Sequence, residues 1–198
     1  MSPRRPDHPI DPIFLDRWSP RAFDGAEMPE VDLLTLFEAA RWAPSAFNSQ
    51  PWRFLYALRG DEHWERFVSL LIPWNQGWAH SASALIYILS DSLPAIDKAG
   101  QPATSHSHSF DAGAAWACLA LQATKLGYQA HGMSGIQLEP ARAELGVPER
   151  YRIEAAAAIG RIGDPGILDE KLRARETPSG RRPVAEFAFR GGWPSPSP

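Results

Sequence analysis

Cysteine occurs once in these 198 residues, at Cys118. A single thiol excludes an internal disulfide and suits a reducing compartment. Cys118 stands in the Ala- and Leu-rich stretch 114–121, where the ordinary role is a buried thiol rather than a nucleophile. Long apolar runs are missing too, and none approaches the roughly 20 residues that a membrane-spanning helix needs. Positive charge does not dominate: Lys and Arg number 20 against 23 Asp and Glu, for a formal net charge of −3. That balance argues against nucleic acid as a partner, because backbone affinity comes from many basic contacts. A small anionic ligand needs only local positive charge and stays allowed. No Gly-rich dinucleotide fingerprint follows a strand and no Gly-x-Ser-x-Gly elbow occurs, which excludes a Rossmann NAD domain and a hydrolase-type nucleophile turn. Nor is there an internal repeat or a heptad pattern. The first residues, Met1 to Pro6, are basic but run into prolines and Asp7 instead of an apolar core, so no signal peptide is expected. These absences predict a soluble, cytoplasmic protein.

What is present fits one domain. Chains of about 100–200 residues usually form one, and 44% hydrophobic residues is enough for a real core. Residues 1–12 carry four prolines and read as a flexible N-terminal arm, leaving 13–198 as the domain. Pro29, Glu30 and Asp32 open an amphipathic helix that carries Leu33, Leu36, Phe37 and Ala40 and is ended by Pro44. Strand character follows at 53–58, a helix at 61–71 and a buried strand at 84–90. The Pro-, Ser- and His-rich stretch 90–109 reads as a loop. From Asp111 to Leu126 the chain is apolar almost all round, and Gly127 closes this helix. Such a helix is either central or packed on a second subunit. A short strand at 128–131, a short helix at 139–145 and a strand at 153–162 follow. The last stretch, 165–198, has scattered apolar residues without a periodic face and reads as an arm laid over another surface. Helices and strands interleave, so the class is mixed α and β.

Two clusters carry chemistry. Arg17, Trp18, Ser19, Pro20 and Arg21 place two guanidinium groups and a hydroxyl within five residues, donors suited to a phosphate. Taken alone this is also what a solvated basic turn looks like. Residues 43–52 then read Ala-Pro-Ser-Ala-Phe-Asn-Ser-Gln-Pro-Trp, with short polar side chains able to read a polar heterocycle and Trp42, Phe47 and Trp52 as ring surface. A capped helix end with local backbone bonds is the plainer reading of that segment. The two clusters together resemble the FMN-binding signatures of the nitroreductase family.

The resemblance implies an α+β, three-layer fold: a mostly antiparallel central sheet flanked by helices, with the C-terminal arm wrapping a partner subunit. It implies an obligate homodimer with FMN at the interface. Arg17, Trp18, Ser19 and Arg21 are then the binders of the phosphate and of the ribityl or pyrimidine end in one copy, while Pro44, Ser45, Ala46 and Asn48 complete the flavin site from the other. Asn75 matches an asparagine that reads the pyrimidine edge. Met133, Ser134 and Gly135 occupy the place of a turn whose backbone N–H approaches flavin N5, where glycine allows close approach or positive φ. Arg181 and Arg182 stand in a segment that closes on the phosphate. Two positions depart from the family pattern: Trp78 where some members carry lysine, and Ser179 in place of another lysine. The implied activity is hydride transfer from NAD(P)H through flavin N5 to nitroaromatic or quinone acceptors, by a ping-pong cycle with no catalytic side chain. The two lost cations motivate an alternative, a flavin-binding or flavin-delivering protein without nicotinamide turnover, and the family also contains other reductive reactions such as dehalogenation. His106 and His108 alternate on an extended segment, but two ligands without further Cys, Asp or Glu make a poor metal site, and none is expected.

Overall fold

The computed structural model describes residues 4–96 and 99–194. A short α1 (Ile13–Asp16) precedes the first long helix, α2 (Glu30–Arg41), which leads through a 3-10 turn at Ala46–Asn48 into β1 (Trp52–Leu58). Two short helices, α3 (Trp64–Ser69) and α4 (Pro73–Ala79), come before β2 (Ala84–Asp91). A minimal hairpin of β3 (Ala95–Ile96) and β4 (Pro102–Ala103) is followed by the longest helix, α5 (His108–Lys125). β5 (Gln129–Met133), α6 (Leu138–Glu144), β6 (Tyr151–Gly160) and α7 (Glu170–Arg173) complete the regular structure.

The main sheet runs β1-β2-β6-β5 and every neighbouring pair is antiparallel. β2 is buried along its whole length, so its alternating side chains feed two cores. Leu85, Tyr87 and Leu89 join Phe67, Trp78, Ala141 and Leu172 on the face covered by α3, α4, α6 and α7. Ala84, Ile86 and Ile88 join Leu33, Leu36, Ala115 and Leu119 on the face covered by α2 and α5. The result is the three-layer α+β architecture that the resemblance implies. In β6, Ala155 pairs with Ile88 and Ile153 with Leu89, which leaves Glu154 as an extra residue in a bulge. The bulge shifts the alternation, so Ile153 and Ala156 point to the same core.

The long elements lie where the sequence puts them, and the differences have local causes. α4 occupies a stretch whose Pro, Asn and Gly composition reads as a turn; Pro73 sits in its first turn, where a missing N–H costs nothing. α5 starts about one turn before Asp111, at His108. The C-terminal stretch divides. Leu168 and Leu172 are buried in this molecule's own core, whereas residues 179–194 are exposed. Residues 4–12 hold no regular element, yet they are tied down: Arg4 donates to the carbonyls of Leu15, Arg17 and Ser179 at 2.9, 2.6 and 2.9 Å, and Asp7 accepts the Val184 N–H at 2.9 Å. The two chain ends therefore meet. Residues 1–3 and 195–198, which the sequence assigns to the two arms, lie outside the described residues. Among the described residues no helix is long and apolar enough to cross a membrane.

Candidate functional site

Arg17, Trp18, Ser19 and Arg21 form an extended stretch laid beside β5. The Trp18 N–H donates to Gln129 Oε1 at 3.1 Å, and His131 Nδ1 lies 2.8 Å from the Pro20 carbonyl. Because a carbonyl only accepts, His131 must carry its proton on Nδ1. Glu176 holds the other side: one carboxylate oxygen accepts the backbone N–H groups of Arg21 and Ala22 at 2.6 and 2.8 Å, while the other faces Arg21 Nη1 at 3.8 Å. A buried carboxylate thus fixes the main chain that presents the arginines.

These residues, with Arg4, Arg175, Ser179 and Arg181, line a cavity of about 260 Å³. Five guanidinium groups surround it, and the Glu176 carboxylate that faces Arg21 offsets only part of their charge. Burial, and then the neighbouring Arg181, pull the Arg17 guanidinium below the ordinary arginine value. Burial comes first for Arg21 as well, opposed by Glu176 and reinforced by Arg175. Arg4 is lowered by burial, Arg181 and Arg17. Like charges that depress one another are stabilised together by an anion placed between them. A dianionic phosphate suits this donor set, so the residues present fit the phosphate end of FMN. The position of the lost lysine, Ser179, is instructive: its carbonyl accepts from Arg4 Nε and its hydroxyl oxygen from Arg181 Nη1, at 2.9 and 3.0 Å. A cation from the opposite end of the chain fills the place.

Asn75 and Gly135 come together at the far end of β5. Asn75 Nδ2 donates to the Gly135 carbonyl at 3.0 Å, and a Cβ on Gly135 would meet Asn75 Nδ2 and lie 2.7 Å from Ile72 Cδ1. Close approach, not positive φ, is what glycine serves here; neither Gly132 nor Gly135 has a left-handed backbone. Met133 turns its side chain into the core, and Ser134 is exposed. Gly135 lies four residues beyond His131, at most about 13 Å of extended chain. Trp78, one turn beyond Asn75 in α4, is 1% exposed and packs on His131 with ring centroids 4.6 Å apart. It is a floor beam of the core, so its place beyond Asn75 does not open a pocket wall. Arg182 lies apart from the phosphate cavity and lines a neighbouring one.

Pro44, Ser45, Ala46 and Asn48 sit elsewhere. The Ala46 N–H donates to Asp111 Oδ2 at 3.2 Å, in the first turn of α5, whereas Trp18 of the arginine stretch meets Gln129, whose Oε1 also accepts from Thr124 Oγ1 near the other end of the same helix. Thirteen residues of α-helix separate those anchors by about 20 Å. Within one copy the two clusters cannot form one small site. The loop is also strained: Phe47, Asn48 and Gln50 have φ of 52, 56 and 47°, and the Phe47 side chain is fully exposed. Non-glycine residues held there cost on the order of 1–3 kcal/mol each. Ser45 Oγ accepts the Gln50 N–H at 3.0 Å, a local bond of the kind the plainer reading of that segment has, while Trp52 is buried in the core instead of offering ring surface.

Arg4, Arg175, Glu176 and His131 escape the sequence reading as site residues. Arg4 lies in a proline-rich arm and Glu176 has the wrong charge for a phosphate motif; no spacing signal marks either. Close by the strained loop, Ser90 Oγ donates to Glu154 and accepts from His108 Nδ1 at 2.7 Å. With its proton committed to a carboxylate, Ser90 serves as a clamp between β2, the β6 bulge and α5.

The molecule thus combines a three-layer antiparallel α+β fold with an arginine-lined cavity at one end of β5. Residues 15–76 match the model of the nitroreductase family. A crystal structure described as an oxidoreductase containing FMN is 49% identical, covers 98% of each chain and superposes with a TM-score of 0.94. An uncharacterised 15.4 kDa protein of Mycolicibacterium smegmatis is 34% identical over 152 residues, 73% of this chain and 99% of that one. A Streptomyces coelicolor protein whose name carries the words NADH dehydrogenase/NAD(P)H nitroreductase is 33% identical over 89 residues, spanning 45% of this chain and 44% of that one. The chain belongs to the nitroreductase family.

Proposed function

We propose that this chain is an FMN-dependent NAD(P)H oxidoreductase, acting as a homodimer in the cytoplasm on electron-poor acceptors such as nitroaromatics or quinones. The observation that carries this reading is the cavity of mutually repelling arginines built by the Arg17–Arg21 stretch. Arg17, Arg21, Arg4 and Arg181 would hold the phosphate with Ser19. Asn75 and the backbone of Ser134 and Gly135 would bind the pyrimidine edge and the N5 side. When bound, FMN supplies two-electron chemistry, accepting hydride from the nicotinamide and passing it to the acceptor in a ping-pong cycle. The protein's part is to orient and to place charge; positive groups near the ring raise its affinity for electrons.

The separation of the two clusters supports the dimer. A second copy packed with α5 antiparallel would bring its 44–48 loop to the arginine end of the first. The outer face of α5 offers apolar surface for this, with Phe110 80% exposed. A lone chain exposes 12049 Å², where a compact monomer of its mass exposes about 9300 Å². Arg4 also weakens the ground for a flavin carrier without turnover, since it restores one of the two missing cations. The test is a visible spectrum of the purified protein followed by anaerobic titration with NADH and NADPH. A yellow protein that bleaches and recovers with a quinone supports the reading. Colour that neither nicotinamide bleaches overturns the donor assignment, and a colourless protein indifferent to added FMN overturns the cofactor.

A further inference from the structure

A cavity of about 820 Å³ lies beside the arginine cavity, between residues 4–17 and 180–187. The two share Arg4, Arg17 and Arg181 in their walls. Beyond that shared wall stand Arg5 and Arg182, which the phosphate cavity does not use. The lining of this cavity thus carries five guanidinium groups, those of Arg4, Arg5, Arg17, Arg181 and Arg182. The acidic residue of the lining, Asp7, is engaged by the Val184 N–H at 2.9 Å. Two phenyl rings complete the chamber: Phe14 is 52% and Phe187 63% exposed.

The combination is selective. Five guanidinium groups around one cavity suit an anion, and Arg5 and Arg182 are not in the wall of the cavity between Arg17 and Arg21. Exposed rings call for a flat aromatic group beside it. The volume is that of a site for a nucleotide-sized ligand, within the roughly 300–1,000 Å³ of small-molecule pockets. We propose that this chamber takes the 2′-phosphorylated adenosine half of NADPH, with Arg5 and Arg182 on the 2′-phosphate and the adenine against Phe14 or Phe187. This rests on the donor half of the function proposed above, and it makes the chain an NADPH enzyme in preference to NADH. The arginines it employs come from both ends of the chain, held together by the Asp7–Val184 bond.

Calorimetric titration of the FMN-loaded protein with 2′,5′-ADP and with 5′-AMP tests the chamber without any turnover. The expected result is at least about tenfold tighter binding of 2′,5′-ADP, an increment of one charge-assisted contact. Arg5→Ala should abolish that preference while leaving FMN affinity unchanged, since Arg5 does not line the phosphate cavity. Equal affinity for the two nucleotides, or a preference that survives both Arg5→Ala and the double change Arg5→Ala/Arg182→Ala, overturns the proposal. Inorganic phosphate competing as well as 2′,5′-ADP also overturns it, because an anion site alone would then suffice. If 2′,5′-ADP binds selectively and neither nicotinamide bleaches the flavin, the chamber stands and the reductase reading falls. Bleaching by both nicotinamides at equal rates, with no nucleotide preference, removes the chamber and leaves the reductase standing.

Discussion

Arg21 touches its carboxylate partner only at 3.8 Å and spends its charge on the cavity instead. Replacing it removes a charge-assisted donor worth about 1.5–3 kcal/mol. Arg21→Ala should therefore weaken FMN binding roughly 10- to 100-fold and lower the potential of the bound flavin; fluorescence titration and a redox titration read the two effects. An unchanged FMN affinity would remove Arg21 from the site. His131 behaves oppositely to an exposed histidine. Burial, aided by Arg21 and opposed by its bonds to the Pro20 and Ser19 backbone, brings its value down to about 4 from the ordinary 6.5. The unfolded chain then takes up the proton first as pH falls. Stability is whole above pH 6.5 and declines as pH drops towards 4, by up to about 3 kcal/mol. Urea melts between pH 4 and 7 should show a shallower decline for His131→Gln; parallel curves would mean that His131 is not held neutral. At this scale the sequence discloses the motif residues and little else. Arg17, Ser19 and Arg21 announce themselves by spacing, but Glu176 enters through backbone bonds 154 residues away from Ala22 and carries no local signature.

β5 and α4 form the element that orders the site from its arginine end to its glycine turn. Gly135 is its tightest point, because Asn75 and Ile72 occupy the space that a side chain would need. Gly135→Ala should push Asn75 from the Gly135 carbonyl and cost about 1–3 kcal/mol, as overpacking does. Thermal melting gives the stability change, and FMN affinity should fall along with it. A neutral substitution would show that the turn has room to spare. Elements as such were largely legible: α2, β1, β2, α5 and β6 follow from apolar periodicity and terminating Pro or Gly. α4 was not, because its seven residues are too short for a periodic face and its composition favours a turn. The start of α5 was hidden likewise by the Ser and His residues ahead of Asp111, which serve as a first turn anchored to Ser90 and Glu154.

On the scale of the whole molecule, the 20 Å of α5 between the arginine stretch and the 44–48 loop decides what one copy can do. The resemblance anticipates a site completed by a second chain, and the sequence has no other means of stating it, since distance along a helix says nothing about what lies opposite. Complementation makes the point measurable. Arg21→Ala damages one half of the site and Asn48→Ala the other. Mixed dimers of the two variants would carry one intact site and one doubly damaged site, so co-expressed protein should recover about a quarter of wild-type turnover. Recovery no greater than the sum of the separate variants would mean that each chain builds its site alone. The convergence of the chain ends has a further use. Trypsin cuts after arginine unless proline follows, so Pro6 and Pro183 silence Arg5 and Arg182 and leave single scissile bonds after Arg4 and Arg181. Both bonds stand at the mouths of the two cavities, and digestion there becomes a footprint of occupancy: flavin should slow cleavage after Arg181, and a phosphorylated nucleotide should slow it further.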